Sequence, residues 1–387
     1  MKKFLTTILV LVLLLVPVVS CKQEVPGSKT EATTVAEKAE DKTEAATEKA
    51  TEATTEKAEE KPAAEETEEK KAEADSKNKD LEGTTLKVLL AYGGADASFP
   101  DFTAKTGIKV EFTSISTGKA LAQIQAADGV SDADVWFGGG VDSYLAATDL
   151  GYLMQYDSEG RKAVADQYKD AEGYWTSLAL VPAGFLVNTE VLEEKSLESP
   201  KTWEDLTDPK YEGELIMASP GISGTQYAIL NGTLQALGEE KGWDLWKKID
   251  ANVTQYAQGG GEPGPKTCAG EFGIGILAIT GGTYALESQY PVKVVVPEDY
   301  IPWTPAPIAI FKDAKNVEAA KLFVDYYLSK EGQESLREAD ARIMSREDVD
   351  VPKIMDTIDL SKLIKQDVTL FGAQRDDLLA QWDELVK

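Results

Sequence analysis

The chain has 387 residues, with 40 Lys and Arg against 67 Asp and Glu, a formal net charge of -27, and no histidine. That sign of charge argues against recognition of nucleic acid or of an anionic lipid surface through a basic face. The lack of histidine excludes Ser-His-Asp and Cys-His catalysis, His-ligated zinc and His pH switches.

In chain order, Met1-Lys2-Lys3 and the apolar run Phe4–Val16 have the charged and hydrophobic regions of a secretory signal. The run is too short to span a bilayer comfortably. It ends in Val18-Val19-Ser20-Cys21, which resembles a bacterial lipobox. In such a signal Cys21 is lipidated and becomes the mature N-terminus, and two acyl chains there imply stable membrane anchoring. Residues 22–83 are mostly Ala, Thr, Glu and Lys, with 11 Lys and 19 Asp or Glu between Lys22 and Glu82. A segment so poor in apolar surface cannot offset its ordering entropy, and it reads as a solvated tether. Cys268 is then the one remaining cysteine, expected as a small buried hydrophobe outside any intramolecular disulfide.

The folded part opens at Thr84. Leu86–Ala91 reads as a buried strand broken by Tyr92-Gly93-Gly94. Asp96–Thr106 reads as a helix interrupted by Pro100, Ile108–Phe112 as a strand and Lys119–Ala127 as a helix. Ala133–Phe137 is a third strand ended by Gly138-Gly139-Gly140, and Val141–Leu150 is the helix after it. This alternation predicts an α/β lobe with a largely parallel sheet. Tyr174–Asn188 is long and apolar enough to cross from one lobe to another.

Farther on, Leu215–Ala218 has strand length, Ser219-Pro220-Gly221 must turn, and Tyr227, Leu230, Leu234 and Leu237 recur at helical spacing. Between strand and helix stands Ser223-Gly224-Thr225. A helix start carries unpaired N–H groups and partial positive charge, so this junction suits an anion, or else its hydroxyls simply cap the helix. Gly242–Ile249 reads as a helix, and the Gly-rich loop Gln258–Pro265 is not expected to lead into a regular one. Phe272–Ile279 and Val292–Val296 follow as strands, Val317–Leu328 and Glu331–Ala339 as amphipathic helices, and Leu360–Lys387 as a terminal helix. Tyr326-Tyr327 is expected to pack within its helix rather than to hold a metal.

Ligands of open α/β sheets sit at loops leading from strands into helices. Four loops suit that position: Tyr92-Gly93-Gly94, Ser116-Thr117-Gly118-Lys119, Gly138-Gly139-Gly140 and Ser223-Gly224-Thr225. A phosphate-binding GxGxxG loop that opens a helix is not expected, because Gly259-Gly260-Gly261 continues Glu262-Pro263-Gly264-Pro265, and GxxxxGK[ST] and a GxSxG elbow are absent from the sequence. Five arginines occur, Arg161, Arg337, Arg342, Arg346 and Arg375, and none falls in an expected cleft loop. A bound anion would then rest on N–H groups, the four hydroxyls of Ser116, Thr117, Ser223 and Thr225, and Lys119.

Ala133–Gly140, Pro200–Met217, Ser223–Thr225 and Asn316–Gly332 together resemble, from about Thr84 to Ser345, the extracellular solute-binding proteins of ABC importers. The group in question is type II, with its ferric-ion, 2-aminoethylphosphonate and hexose-phosphate binders. The resemblance implies a two-lobed α/β fold with the ligand cleft between the lobes, no enzymatic activity, no cofactor, and a monomer that serves membrane permease subunits from the cell envelope. The lobes would comprise residues 84–178 with the return 304–345, and residues 179–303, with 346–387 packing on the second. Where ferric-ion binders carry Tyr-Tyr and the hexose-phosphate relatives His-Asp, this chain has Thr280-Gly281. The candidate ligand residues are therefore Tyr92, Ser116, Thr117, Gly118, Gly139, Gly140, Ser223, Gly224, Thr225, Thr280, Gly281 and Glu298. The expected ligand is a small organic phosphate or phosphonate, with ferric ion second. A secreted hydrolase or a surface adhesin is the more remote alternative; the first should show an activated nucleophile and the second internal repeats.

Overall fold

The computed structural model describes residues 79–386. The signal sequence, Cys21 and nearly all of the tether expected over residues 22–83 lie outside these residues. Among the described residues no helix is long and apolar enough to cross a membrane.

The strands in chain order are β1 (Thr85–Leu90), β2 (Lys109–Ser114), β3 (Val135–Phe137), β4 (Leu153–Met154), β5 (Thr176–Asn188), β6 (Leu215–Ala218), β7 (Val253–Ala257), β8 (Ile274–Ala278), β9 (Val292–Val295), β10 (Trp303–Phe311) and β11 (Ile343–Met344). They are hydrogen-bonded in the order β2-β1-β3-β10-β5-β8-β6-β7, with β4 on β10 and with β9 and β11 on β5. β1 pairs in parallel with β2 and β3, and β6 in parallel with β7 and β8. Helices follow the parallel strands, as the alternating pattern predicts.

β5 holds the two halves together. All 13 of its residues are buried, and at about 3.3 Å per residue it spans roughly 40 Å. Its first half pairs antiparallel with β10, from Ile308↔Thr176 to Trp303↔Pro182. Its second half pairs with β8 from Ala183↔Ala278 and with β9 from Phe185↔Val295. The change of partner falls at Pro182, which has no N–H to give to either ladder. β10 slips register between Ala306 and Pro307, where a second proline lacks its donor. On one side of this crossing an aromatic core forms from Phe99, Phe102, Phe137, Phe323 and Tyr327, with ring centroids 4.7–6.1 Å apart. Tyr326 and Tyr327 are both buried there. On the other side Trp203, Trp246 and Trp382 are fully buried.

Three elements depart from the sequence expectation. Strand β7 arises from Val253–Ala257, a run with no expectation attached to it. The loop Gly259–Gly261 does lead into a helix, Pro263–Cys268, with Pro263 in its first turn. A proline there gives up an N–H that has no helical partner anyway. The terminal segment is not one helix but a 3-10 turn Leu360–Lys362 and the helices Leu370–Ala373 and Arg375–Leu385. One long-range bond and one local bond compete with the helix in between. Ile364 N–H donates to Ile301 O at 3.0 Å, and the Asp367 carboxylate accepts from Thr369 N–H at 2.9 Å.

This segment packs through Trp382 against Trp246 and Tyr256, with centroids 5.7 and 5.6 Å away. It also reaches the helix Val141–Asp149 across the cleft: the Arg375 Nε donates to Asp142 Oδ2 at 2.9 Å, and Gly372 lies on Leu145. Replacing the fully buried Trp382 by Ala is expected to cost about 3–5 kcal/mol. Urea unfolding of the two proteins, read as a shift of midpoint at constant slope, measures this loss.

Candidate functional site

Where the halves face each other there is a cavity of about 720 Å³. Three helices begin at it: Thr117–Ala126 after Ser116, Val141–Asp149 after Gly140, and Gly224–Leu237 after Ser223. Each brings the positive end of its dipole there, although Val141 N–H already donates to Thr304 Oγ1 at 3.3 Å and Asp142 stands in the first turn of that helix. Their approach depends on glycine. A Cβ on Gly224 would lie 2.5 Å from Gly140 Cα and 2.6 Å from Thr117 Oγ1, and one on Gly140 would lie 2.4 Å from Gly224 Cα. Gly139, at φ 93°, lies with its missing Cβ against Thr117 and Ala91.

Of the twelve residues expected from sequence, nine line this cavity: Tyr92, Ser116, Thr117, Gly139, Gly140, Ser223, Gly224, Thr225 and Thr280. The other three stand elsewhere. Gly118 is used for contact, since a Cβ on it would meet Gly221 O at 2.3 Å. Gly281 is closed over by Ala341, whose Cβ would be 2.6 Å from a Cβ on Gly281. Glu298 is tied by its backbone, its N–H donating to Lys201 O and its carbonyl accepting from Lys362 Nζ, each at 2.8 Å. Lys119 is not in the lining either; its Nζ donates to Gln258 O.

The hydroxyls divide into those already used and those free. Ser223 Oγ caps its own helix, accepting from Gln226 N–H at 3.4 Å. Thr280 Oγ1 accepts from Thr283 N–H at 3.2 Å in a reciprocal capping box. Ser116 makes no capping bond, and its buried Oγ has no hydrogen-bond partner.

The lining also contains residues that the sequence did not suggest. Gly259, Gly260 and Gly261 form one wall, and Ile115, Val181, Leu277 and Leu286 supply an apolar one. Arg342 is there as well, contrary to the expectation that no arginine faces the cleft. Its Nε donates to Asp340 Oδ2 at 2.6 Å, its Nη2 to Gly93 O at 3.1 Å, and its guanidinium lies 3.5 Å over the Tyr92 ring. Asp340 Oδ1 in turn accepts from Gly282 N–H at 3.3 Å across the cavity. Burial raises the Tyr92 phenol well above its ordinary pKa, with Arg342 lowering it and Asp340 raising it. The phenol therefore stays protonated, and its oxygen has no hydrogen-bond partner. Among the described residues no group of three or more His, Cys, Asp or Glu is placed to hold a metal ion.

A mixed α/β fold of two halves joined by crossing strands, with helix starts around the cavity between them, defines a solute-binding protein. The chain belongs to the bacterial extracellular solute-binding proteins, whose sequence profile matches residues 133–356, and is the solute-binding component of an ABC importer. The family works outside the cytoplasm, in the cell envelope. An uncharacterised protein of Haemophilus influenzae is 35% identical over 298 residues, covering 74% of this chain and 85% of that one. The periplasmic binding protein AfuA from Actinobacillus pleuropneumoniae, determined with exogenous fructose-6-phosphate bound, is 29% identical with a TM-score of 0.73, covering 78% of this chain and 98% of AfuA. The periplasmic binding protein P5PA is 27% identical with a TM-score of 0.72, covering 79% of this chain and 100% of P5PA.

Gly224→Ala places a methyl against the Gly140 backbone. Overpacking of this kind costs about 1–3 kcal/mol, and here it falls on the arrangement with the halves in contact. Small-angle scattering is expected to show a larger radius of gyration than for the parent protein; an unchanged radius refutes this.

Proposed function

We propose that the cavity captures a small organic phosphate or phosphonate and that the protein delivers it to its permease as a monomer. The observation that carries this reading is the convergence of three helix starts on one cavity beside the unpartnered Ser116 hydroxyl. Local N–H groups suit an acidic protein, which has no positive far field to attract an anion. The cavity's volume, about 720 Å³, suits a ligand with an organic body. AfuA, with its bound fructose-6-phosphate, supports the same class. Ferric ion has less support: Tyr92 is the one tyrosine in the lining and its phenol is held protonated, whereas a ferric site wants anionic oxygens.

In this reading the lobes are residues 84–178 with 304–345, and 179–303, and they close by a hinge at β5 and β10 around a ligand that touches both. Cys21 carries the lipid anchor and residues 22–83 are the spacer. Changing Cys21 to Ser is expected to move the protein from the membrane to the soluble fraction of cells with its melting temperature unchanged. Retention on the membrane rules out this anchor.

The hydroxyls separate the binding reading from the capping one. Ser116→Ala is expected to weaken an organic phosphate such as glycerol 3-phosphate about 10-fold or more, as for a bond to a charged group, without lowering the melt of the free protein. Ser223→Ala is expected to cost about 1 kcal/mol of stability as well, as for a lost cap. Calorimetric titration and thermal unfolding of both variants measure this. Unchanged affinity in Ser116→Ala refutes the assignment.

A further inference from the structure

The cavity wall holds a second polar station that the helix starts do not account for. Arg342 is the one cation in the lining. It is fixed by Asp340, by Gly93 O and by the face of Tyr92. Its Nη1 has no hydrogen-bond partner among the described residues. Tyr92 is fully buried, with a partnerless hydroxyl. None of the groups that hold Arg342 belongs to the cluster of Thr117, Gly140 and Gly224 where the helix starts meet. The two stations nonetheless adjoin, because Gly139 packs on Thr117 on one side and on Ala91, next to Tyr92, on the other.

We infer that Arg342, with the Tyr92 phenol beside it, reads a second acidic group of the ligand, a carboxylate a few carbons from the phosphate. This rests on the proposal that the helix starts receive an oxyanion. A guanidinium presents its donors in a planar fork that matches a carboxylate. Asp340 holds this fork in place from behind and offsets part of its charge, so the station suits a single negative charge. Asp340 also accepts from Gly282 N–H on the other half, so the fork is fixed while the halves are in contact. The ligand class is a phosphorylated small carboxylic acid, and Arg342 is its specificity-determining residue.

The test is calorimetric titration of the full chain with three probes: 3-phosphoglycerate, glycerol 3-phosphate, which replaces the carboxylate by a hydroxymethyl group, and glycerate, which lacks the phosphate. The expected result is that 3-phosphoglycerate binds about 10- to 100-fold more tightly than glycerol 3-phosphate, the range for hydrogen bonds to a charged group. In Arg342→Met the two phosphate probes bind alike. In Tyr92→Phe, which keeps the ring under Arg342, the preference shrinks without vanishing. Ser116→Ala weakens both phosphate probes and keeps their ratio. Equal binding of the two phosphate probes by the parent protein overturns the inference while leaving the phosphate reading standing. A preference that survives in Arg342→Met, with both probes weakened, shows Arg342 on the phosphate itself and overturns it too. Binding of glycerate alone, or of none of the three, sinks the phosphate reading and this inference with it. Should Arg342→Met melt early, the parent protein's preference and Tyr92→Phe decide.

Discussion

The cleft depends on one contact, the meeting of the Gly140 and Gly224 backbones. Each residue opens a helix, and each lacks the Cβ that would keep the other away. The contact brings two helix starts together with their positive ends facing, and the buried Asp142 carboxylate in the first turn of one of them lies beside it. If the ligand is the proposed anion, binding and approach of the halves are one event, since the anion favours the arrangement in which the helix starts converge.

On the proposal of an anionic ligand, the same contact answers the net charge of -27. A long-range field of that sign slows the encounter, and the attraction acts only at hydrogen-bond range. Oriented N–H groups and a single guanidinium supply it. Asp340 moderates this guanidinium and also joins the halves through Gly282. On that proposal charge selection and closure share a residue.

Much of this was legible in the sequence because it is local. A hydroxyl-Gly pair between a strand-like run and a helical period marks a helix start without knowledge of the rest of the chain, and Ser116-Thr117 and Ser223-Gly224-Thr225 do line the cavity. Sequence left open which hydroxyls are caps, because capping is decided by side-chain rotation: Ser223 turns to its own helix and Ser116 does not. Arg342 was illegible for a different reason. It contacts Gly93, 249 positions away in the chain, and reaches it only because β11 pairs with β5 at Met344↔Ala179. No local pattern encodes such a pairing. Gly259–Gly261 was passed over because Pro263 and Pro265 read as helix breakers, whereas the first turn of a helix tolerates proline. Likewise, a terminal helix read from Leu360 onward takes no account of the Asp367 carboxylate that competes for the backbone.

The terminal segment changes the mechanical picture of the two halves. Strands alone would make the joint a pair of antiparallel straps, β5 and β10, with breaks in the ladder at Pro182 and at the Ala306/Pro307 slip. The segment after Ile364 adds a third connection. It is rooted by Trp382 among Trp246 and Tyr256, yet its Arg375 pairs with the buried Asp142 of the other half. Asp142 belongs to the helix that Gly140 opens; its Oδ2 accepts from Arg375 Nε and Ser143 Oγ, and its Oδ1 has no hydrogen-bond partner. Removing one member of a buried pair leaves an uncompensated charge, so such a pair resists being pulled apart more than it stabilises the fold. A rotation that separated Gly140 from Gly224 must either carry Arg375 along with Asp142 or expose that charge. The Asp142–Arg375 pair thus ties the terminal segment to the helix that Gly140 opens, beside the Gly140–Gly224 contact, while Gly281, Gly282 and Lys119 add single hydrogen bonds between the halves.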